Sequence, residues 1–286
     1  MLRLLIADGN ERAVRERHTE LTGQTSAQSY AEVIHDLDPD AHCTLISPAD
    51  ADAEFGRGAG LSGFEGVIFT GSVLTVTERS GPVMRQVELM ARALDLGLPV
   101  FGSCWGVQVA AVVAGGEAGP NPKGPEYGFA RRLVRVPGEG EHGLVAGRPD
   151  AWDAPAIHSD AVITPPPGAR VLARNDLLDV QAIEITYGKG VFWGTQYHPE
   201  LDLDRLAMML RLSGEAVVEA GLSSAPEAVE AHAREIEALH SGSEEVRRTL
   251  AWRYGLGRDV LDAGCRRTEI ANYLGRVGLA AGRRAA

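Results

Sequence analysis

The sequence predicts an α/β fold with a mostly parallel central sheet flanked by helices and a helical C-terminal appendage. Short apolar segments alternate with segments of helical spacing over residues 2–114, a pattern typical of parallel sheets covered on both faces. Only helical patterns occur after about residue 214. The 286 residues are 44% hydrophobic and 23% charged, which is ordinary for a protein with a sizeable core.

The predicted elements of the first half follow from apolar runs and from helical spacing. Residues 2–8 form an apolar run that ends in a carboxylate, which predicts a buried strand, and the polar residues 9–27 predict a loop. Residues 29–37 and 83–94 each place apolar side chains on one helical face. The remaining elements of this half are strands at residues 43–46, 66–72 and 99–102 and a helix at residues 105–114.

The pattern changes in the second half. Shorter strands between Pro- and Gly-rich loops are predicted at residues 131–136, 170–174, 180–186 and 190–195, and a helix at residues 203–212. We therefore expect a domain at residues 1–212 and a helical extension at residues 213–286. In the extension, Ser224 with Glu227 and Ser241 with Glu244 have the spacing of capping boxes.

Charge excludes some classes of partner. The formal net charge of −11 argues against a general nucleic-acid or anionic-membrane binder. Residues 244–286 reverse this sign, with nine arginines and five acidic residues. This part of the chain is therefore interpreted either as a surface helical appendage or as a docking surface for an acidic partner or a second copy of the chain.

Cysteine usage and the apolar runs indicate the compartment. Cys43, Cys104 and Cys265 cannot all pair, and their spacing forms no metal knuckle, so a reduced, cytoplasmic location is the simplest expectation. The first ten residues are too short and reach Asp8 too early for a signal peptide. We find no apolar run of the roughly 18–20 residues that a transmembrane helix needs.

Cys104 is the candidate nucleophile. It lies where a predicted strand turns into a predicted helix, at the carboxyl edge of the sheet, and Gly102 and Gly106 relieve crowding at such a turn. The positive end of the following helix would favour the thiolate. The alternative is a buried structural cysteine, since free cysteines are commonly buried.

His198 and Glu200 are the candidate base and its orienting group. Pro199 between them denies helical conformation to His198 and keeps the two side chains in an extended pair. Two alternatives stay open: a pair of polar loop residues, or a metal site for which no third ligand has convincing spacing. The backbone N–H groups of Gly71 and Trp105 are candidate oxyanion donors, although a strand-ending Thr-Gly-Ser turn is weak support alone.

Three motifs in this order resemble those of the class I glutamine amidotransferase family. They are TGS at residues 70–72, GSCWGVQ at 102–108 and QYHPE at 196–200. Residues 115–128, ending in Glu-x-Gly, and residues 157–162, with His-x-Asp, are also similar to family segments. The resemblance covers about residues 1–212, and this part of the chain resembles the glutaminase domain of GMP synthase.

The resemblance implies a flavodoxin-like sheet and hydrolysis of the γ-amide of glutamine through a γ-glutamyl thioester on Cys104. It implies a triad of Cys104, His198 and Glu200, and it assigns Gln108 and the backbone near Ser159 to the substrate's α-amino and α-carboxyl end. It implies no metal or organic cofactor. The chain departs from the family at Ser103, usually a bulky aliphatic residue, and at Trp105, which either reshapes the γ-glutamyl pocket or fills the core under the turn.

Three functions remain open on the sequence. The favoured one is a glutaminase that passes ammonia to a separate synthase or acceptor subunit, for which the tail could be the dock. The second is a self-sufficient γ-glutamyl hydrolase or peptidase that acts on γ-glutamyl amides, and the third is a noncatalytic binding protein. A homo-oligomer is also a candidate, whereas no nucleic-acid or membrane partner is expected.

Overall fold

The computed structural model describes residues 1–53, 60–138 and 142–285. In the described residues the strands are β1 Arg3–Ala7, β2 His42–Ile46, β3 Gly66–Phe69, β4 Pro99–Ser103, β5 Glu117–Pro120, β6 Glu126–Arg135, β7 Ala151–His158, β8 Asp160–Thr164, β9 Arg170–Arg174, β10 Ala182–Tyr187 and β11 Gly190–Thr195. The helices are α1 Arg12–Thr22, α2 Ser26–Leu37, α3 Gly81–Asp95, α4 Trp105–Val113, α5 Leu203–Leu212, α6 Gly214–Glu219, α7 Pro226–Ser241, α8 Glu244–Tyr254, α9 Arg258–Leu261, α10 Ala263–Arg266 and α11 Thr268–Ala285.

A large central sheet has the strand order β2-β1-β3-β4-β11-β10-β9-β6-β7. The pairs from β2 to β11 are parallel, and the pairs from β11 to β7 are antiparallel. Strands β5 and β8 pair separately. The predicted α/β class is confirmed, and the parallel strands are those that end next to the candidate site.

Helices cover both faces of the parallel strands. Because side chains alternate along a strand, Leu4 and Ile6 of β1 face a core shared with α2 and α11, whereas Leu5 faces a core shared with α3 and α4. All three side chains are fully buried. Burial on both sides explains why the strands read as continuous apolar runs.

Helix α1 lies where the sequence predicted a loop, so that prediction is wrong. Its one fully buried residue is His18, and only Val14, Arg15 and Thr22 are partly buried, so the apolar stripe that identifies a surface helix is missing. The sequence analysis did not predict strand β7, because Pro155 interrupts the pattern typical of a strand. The proline is tolerated since β7 lies at the edge of the large sheet.

The predicted capping boxes are also wrong. Helix α7 follows Ala225, with Pro226 in its first turn and no side-chain cap. Helix α8 is capped by Ser243, whose hydroxyl accepts a hydrogen bond from the Val246 N–H. Proline at the first helical position replaced the predicted cap in α7, and the cap of α8 lies two residues after the predicted one.

The C-terminal helices are present as expected, but α11 is not a surface appendage. Ile270, Tyr273 and Val277 are fully buried against the sheet. The Tyr273 hydroxyl lies 3.0 Å from the Val67 carbonyl oxygen and 3.1 Å from that of Pro99, and it can donate to either. The division at residues 212 and 213 stays a prediction about sequence segments.

In the described part of the chain, no helix is both long enough and apolar enough to cross a membrane.

Candidate active site

Cys104 lies at the sharp turn between β4 and α4. Its backbone has φ 52° and ψ −100°, a conformation that is strained for a residue with a side chain and that recurs at functional sites. A Cβ atom on Gly102 would lie 2.9 Å from the Gly106 Cα atom, so both glycines are needed for this turn. The thiol is 6% exposed, and its Sγ atom lies 4.0 Å from the Ile157 carbonyl oxygen.

His198 and Glu200 meet directly after β11. The His198 Nδ1 and Glu200 Oε1 atoms are 2.6 Å apart, and both side chains are buried. His198 Nε2 has no hydrogen-bond partner among the described residues. Burial acts to lower the pKa of His198, but the Glu200 carboxylate and Cys104 outweigh it and raise the pKa to about 10. At neutral pH the imidazole is therefore protonated and can donate a proton within the site.

Two hydroxyl groups that the sequence reasoning did not assign to the site surround Glu200. Ser103 Oγ donates to Glu200 Oε1 at 2.9 Å, and the Tyr30 hydroxyl contacts Glu200 Oε2 at 3.1 Å. The sequence singles out Ser103, because it stands where the family usually has a bulky aliphatic residue. Tyr30 belongs to the apolar helical face predicted over residues 29–37, and only the folded chain brings it to the triad.

The candidate oxyanion donors lie at the same edge of the sheet. Trp105 is the first residue of α4, and the backbone N–H groups of the first helical turn have no partner within the helix. Gly71 follows β3, and a Cβ atom there would lie 3.0 Å from the His198 Cε1 atom. The fully buried Trp105 indole donates to Gln86 Oε1 at 2.7 Å, so its side chain fills the core under the turn.

The predicted substrate-binding residues come from α4 and from the junction of β7 and β8. Gln108 on α4 donates from Nε2 to the Asp160 carbonyl oxygen at 2.9 Å. The exposed Ser159 uses its carbonyl oxygen to accept the Asn121 N–H, also at 2.9 Å. Both line the candidate pocket.

A buried carboxylate anchors the segment that holds Ser159. Glu126 Oε2 lies 2.9 Å from His158 Nε2, and the same carboxylate accepts hydrogen bonds from Asn175 at 2.6 Å and Gln181 at 2.5 Å. The Glu-x-Gly and His-x-Asp stretches therefore meet through a polar network. The sequence motifs indicated these stretches, but not Asn175 or Gln181.

A cavity of about 370 Å³ joins these groups. Its lining includes the predicted site residues Cys104, Gln108, Ser159, His198 and Glu200. The same cavity is also lined by polar and apolar residues from the α1–α2 region and from the segment that holds α5 and α6, namely His18, Thr22, Ser26, Ser29, Tyr30, Leu201, Met209, Ser213 and Ala216. The described residues contain no group of three or more His, Cys, Asp or Glu side chains placed to hold a metal ion.

Known proteins are similar to this chain over much of its length. Residues 23–212 match the family model described as glutamine amidotransferase class-I. A γ-glutamyl-L-1-hydroxyisopropylamide hydrolase of Pseudomonas sp is 32% identical over 276 residues, covering 96% of this chain and 92% of that protein. A glutamine-hydrolyzing GMP synthase subunit of Ignicoccus hospitalis is 33% identical over 138 residues, covering 48% of this chain and 68% of that protein.

Solved structures show the same fold. A glutamine amidotransferase from Thermotoga maritima superimposes with a TM-score of 0.63 at 18% identity, covering 96% of this chain and 97% of that chain. The family match spans most of the chain, and the first relative matches it nearly end to end. The chain therefore belongs to the class I glutamine amidotransferase family and is a cysteine-dependent amide hydrolase.

Proposed function

We propose that this protein is a self-sufficient γ-glutamyl hydrolase that cleaves small N-substituted γ-glutamyl amides. The observation that carries the proposal is that residues of α2 and α5 line the same cavity as Cys104, His198 and Glu200. The leaving nitrogen of the substrate must lie within reach of the imidazole that protonates it. A substituent on that nitrogen would then enter the space between α2 and α5, which the release of ammonia would not require.

The chemistry of this space favours a small, partly polar amine. Ser26 and Ser29 supply hydroxyl groups on one side, and Leu201 and Met209 supply apolar surface on the other. A cavity of about 370 Å³ is in the range of sites for small molecules. The extent of similarity agrees, because the hydrolase relative covers 96% of the chain, including the C-terminal helices, whereas the GMP synthase relative covers 48%.

The proposed mechanism uses Cys104, His198 and Glu200 in two steps. The Cys104 thiolate forms a bond to the γ-carbonyl carbon, and the Gly71 and Trp105 N–H groups hold the oxyanion. His198 gives its proton to the nitrogen as the C–N bond breaks, and the free amine leaves. His198 then takes a proton from water while the water oxygen attacks the thioester carbonyl carbon. The C–S bond breaks, glutamate leaves, and the Cys104 thiolate and the protonated His198 are regenerated.

The remaining side chains have supporting roles in this proposal. Glu200 fixes the imidazole so that Nε2 faces the thiol and the substrate. Gln108 and the backbone near Ser159 hold the α-amino and α-carboxyl end of the γ-glutamyl group. None of these steps requires a metal or an organic cofactor.

A leaving-group series tests the proposal. Glutamate release by the purified chain is measured with glutamine, γ-glutamyl methylamide and the γ-glutamyl amide of a small amino alcohol. We expect kcat/KM to rise from glutamine to the amino-alcohol amide, by about tenfold for each 1.4 kcal/mol of added binding in the transition state. Glutamine as the best substrate of the series would contradict the proposal.

An ammonia-supplying glutaminase is the second candidate function, and the similarity to the GMP synthase relative favours it. Such an enzyme would act on glutamine and would depend on a separate synthase protein. In the same series it would cleave all three compounds slowly, while Cys104 would still be labelled by a glutamine-like electrophile. That combination would replace the first candidate with the second.

A further inference from the structure

We propose that Ser103 and Tyr30 are positioning residues that hold the Glu200 carboxylate, and that either hydroxyl group can replace the other. The inference rests on the proposed roles of His198 and Glu200 and extends the site to two residues outside the triad. These residues come from distant parts of the chain: Ser103 ends β4, and Tyr30 lies on α2.

The geometry is a closed ring of contacts among three side chains. Ser103 Oγ is 2.9 Å from Glu200 Oε1, the Tyr30 hydroxyl is 3.1 Å from Glu200 Oε2, and the two hydroxyl oxygens are 2.7 Å apart. Their side chains are at most 5% exposed, so water cannot readily substitute for a lost partner. The same Oε1 atom accepts the His198 Nδ1–H at 2.6 Å.

The two hydroxyl groups carry too few protons to make a hydrogen bond at all three contacts. Each hydroxyl group carries one proton, so two protons serve three oxygen–oxygen contacts. The contact between the two hydroxyls is the shortest, which indicates that it holds one proton and that the other is donated to Glu200. Removing either hydroxyl frees the remaining proton for the carboxylate, and only the loss of both leaves Glu200 without a hydroxyl donor.

Tyr30 is fixed in place as a donor by the fold. Burial and the nearby Glu200 carboxylate raise the pKa of Tyr30 well above its ordinary value, so the phenol keeps its proton. Asp8, 1% exposed at the end of β1, accepts the Ala27 N–H at 3.0 Å and holds the first turn of α2 against the sheet. A loosely placed tyrosine could not serve this role, because the carboxylate must be held within fractions of an ångström.

A double-mutant cycle on kcat tests the inference. We expect Ser103→Ala and Tyr30→Phe each to change kcat by less than about threefold. Together they should lower kcat by about 10- to 100-fold, because a buried acceptor then loses its last hydroxyl donor. KM should stay within about twofold, because Ser103 is not among the residues that line the cavity and Tyr30→Phe keeps the ring that Tyr30 contributes to the lining. A purely structural role would not produce this split between kcat and KM.

Tyr273→Phe is the matched control. Its hydroxyl is also fully buried, but it contacts the Val67 and Pro99 carbonyl oxygens away from Glu200. We expect this variant to lower the Tm and to leave kcat unchanged. A comparable loss of kcat in Tyr273→Phe would show that any buried hydroxyl has this effect and would overturn the inference.

The single variants keep the test decisive even if the double variant does not fold. A tenfold loss of kcat in either single variant would overturn the interchangeability of the two hydroxyls, and so would additive losses across the cycle. His198→Ala separates this inference from the proposed function. If His198→Ala remains active, the triad itself is wrong, whereas an inactive His198→Ala beside a fully active double variant contradicts only the present inference.

Discussion

At the scale of single residues, protonation of His198 decides how the site responds to pH. Its pKa is raised from an ordinary 6.5 to about 10, against the lowering effect of burial, by Glu200 and Cys104. We therefore expect kcat/KM to persist through pH 9 and to fall as pH approaches 10, because the proton for the leaving amine is then lost. A pH–rate profile of the wild type and of Glu200→Gln checks this.

Glu200→Gln should move the alkaline fall to lower pH, because the charge that raises the pKa is gone. An unchanged alkaline limb in this variant would contradict the assignment. The same shift affects stability: the folded state binds this proton more tightly than the unfolded state. The contribution is complete below about pH 6.5 and is lost as pH rises through about 10.

Gly71 gives a second prediction at this scale. The Cβ atom of Gly71→Ala would lie 3.0 Å from the His198 Cε1 atom, so the imidazole must shift. We expect kcat to fall by about tenfold or more, because small displacements of a catalytic group are costly. Gly119→Ala is the control, since its Cβ atom would meet its nearest neighbour, Thr77, at 3.8 Å. Equal activity of the two variants would argue against close packing of Gly71 on His198.

At the scale of elements, the strands and helices that carry motifs were predictable, as were α2 and α5, but helix α1, which also lines the cavity, was not. Strand β4 and helix α4 follow from an apolar run and a glycine turn in the sequence. Helix α1 buries only His18, so its sequence lacks the apolar period by which a helix is recognised. The triad contacts of Tyr30 depend on how α2 is held against the sheet, which no local pattern encodes.

The turn between β4 and α4 gives a prediction for these elements. In Gly102→Ala the new Cβ atom would lie 2.9 Å from the Gly106 Cα atom, and backbone must move because no flexible side chain can yield. We expect a lower Tm together with loss of Cys104 alkylation at neutral pH, measured by thermal unfolding and by iodoacetamide labelling. Wild-type labelling and an unchanged Tm would show that the turn tolerates a side chain.

At the scale of the whole molecule, the C-terminal helix is joined to the site. Glu269 of α11 is fully buried and pairs with Arg148, with Nη2 and Oε2 2.6 Å apart. Its Oε1 atom accepts the Tyr197 hydroxyl at 2.8 Å, and Tyr197 directly precedes His198. The sequence predicted the helices of the tail, but it did not predict this contact, because the partners are far apart along the chain.

Glu269→Gln should therefore destabilise the protein by about 3–5 kcal/mol, because it leaves the buried Arg148 charge uncompensated. Denaturant unfolding checks this, with Glu230→Gln as the control. Glu230 pairs with Arg211 and Arg234 at the surface, where ion pairs contribute little. Equal stability of the two variants would contradict a stabilising role for the buried pair of Glu269 and Arg148.

In the proposed function, this chain alone hydrolyses a γ-glutamyl amide through Cys104. The most direct measurement is glutamate release from the γ-glutamyl amide of a small amino alcohol by wild type, Cys104→Ala and Cys43→Ala. Burial raises the pKa of the Cys43 thiol to about 11, so this thiol is a matched but unreactive control. We predict activity in wild type and Cys43→Ala without any added protein, and none in Cys104→Ala. Turnover by Cys104→Ala, or silence of the wild type until a synthase protein is added, would contradict the claim.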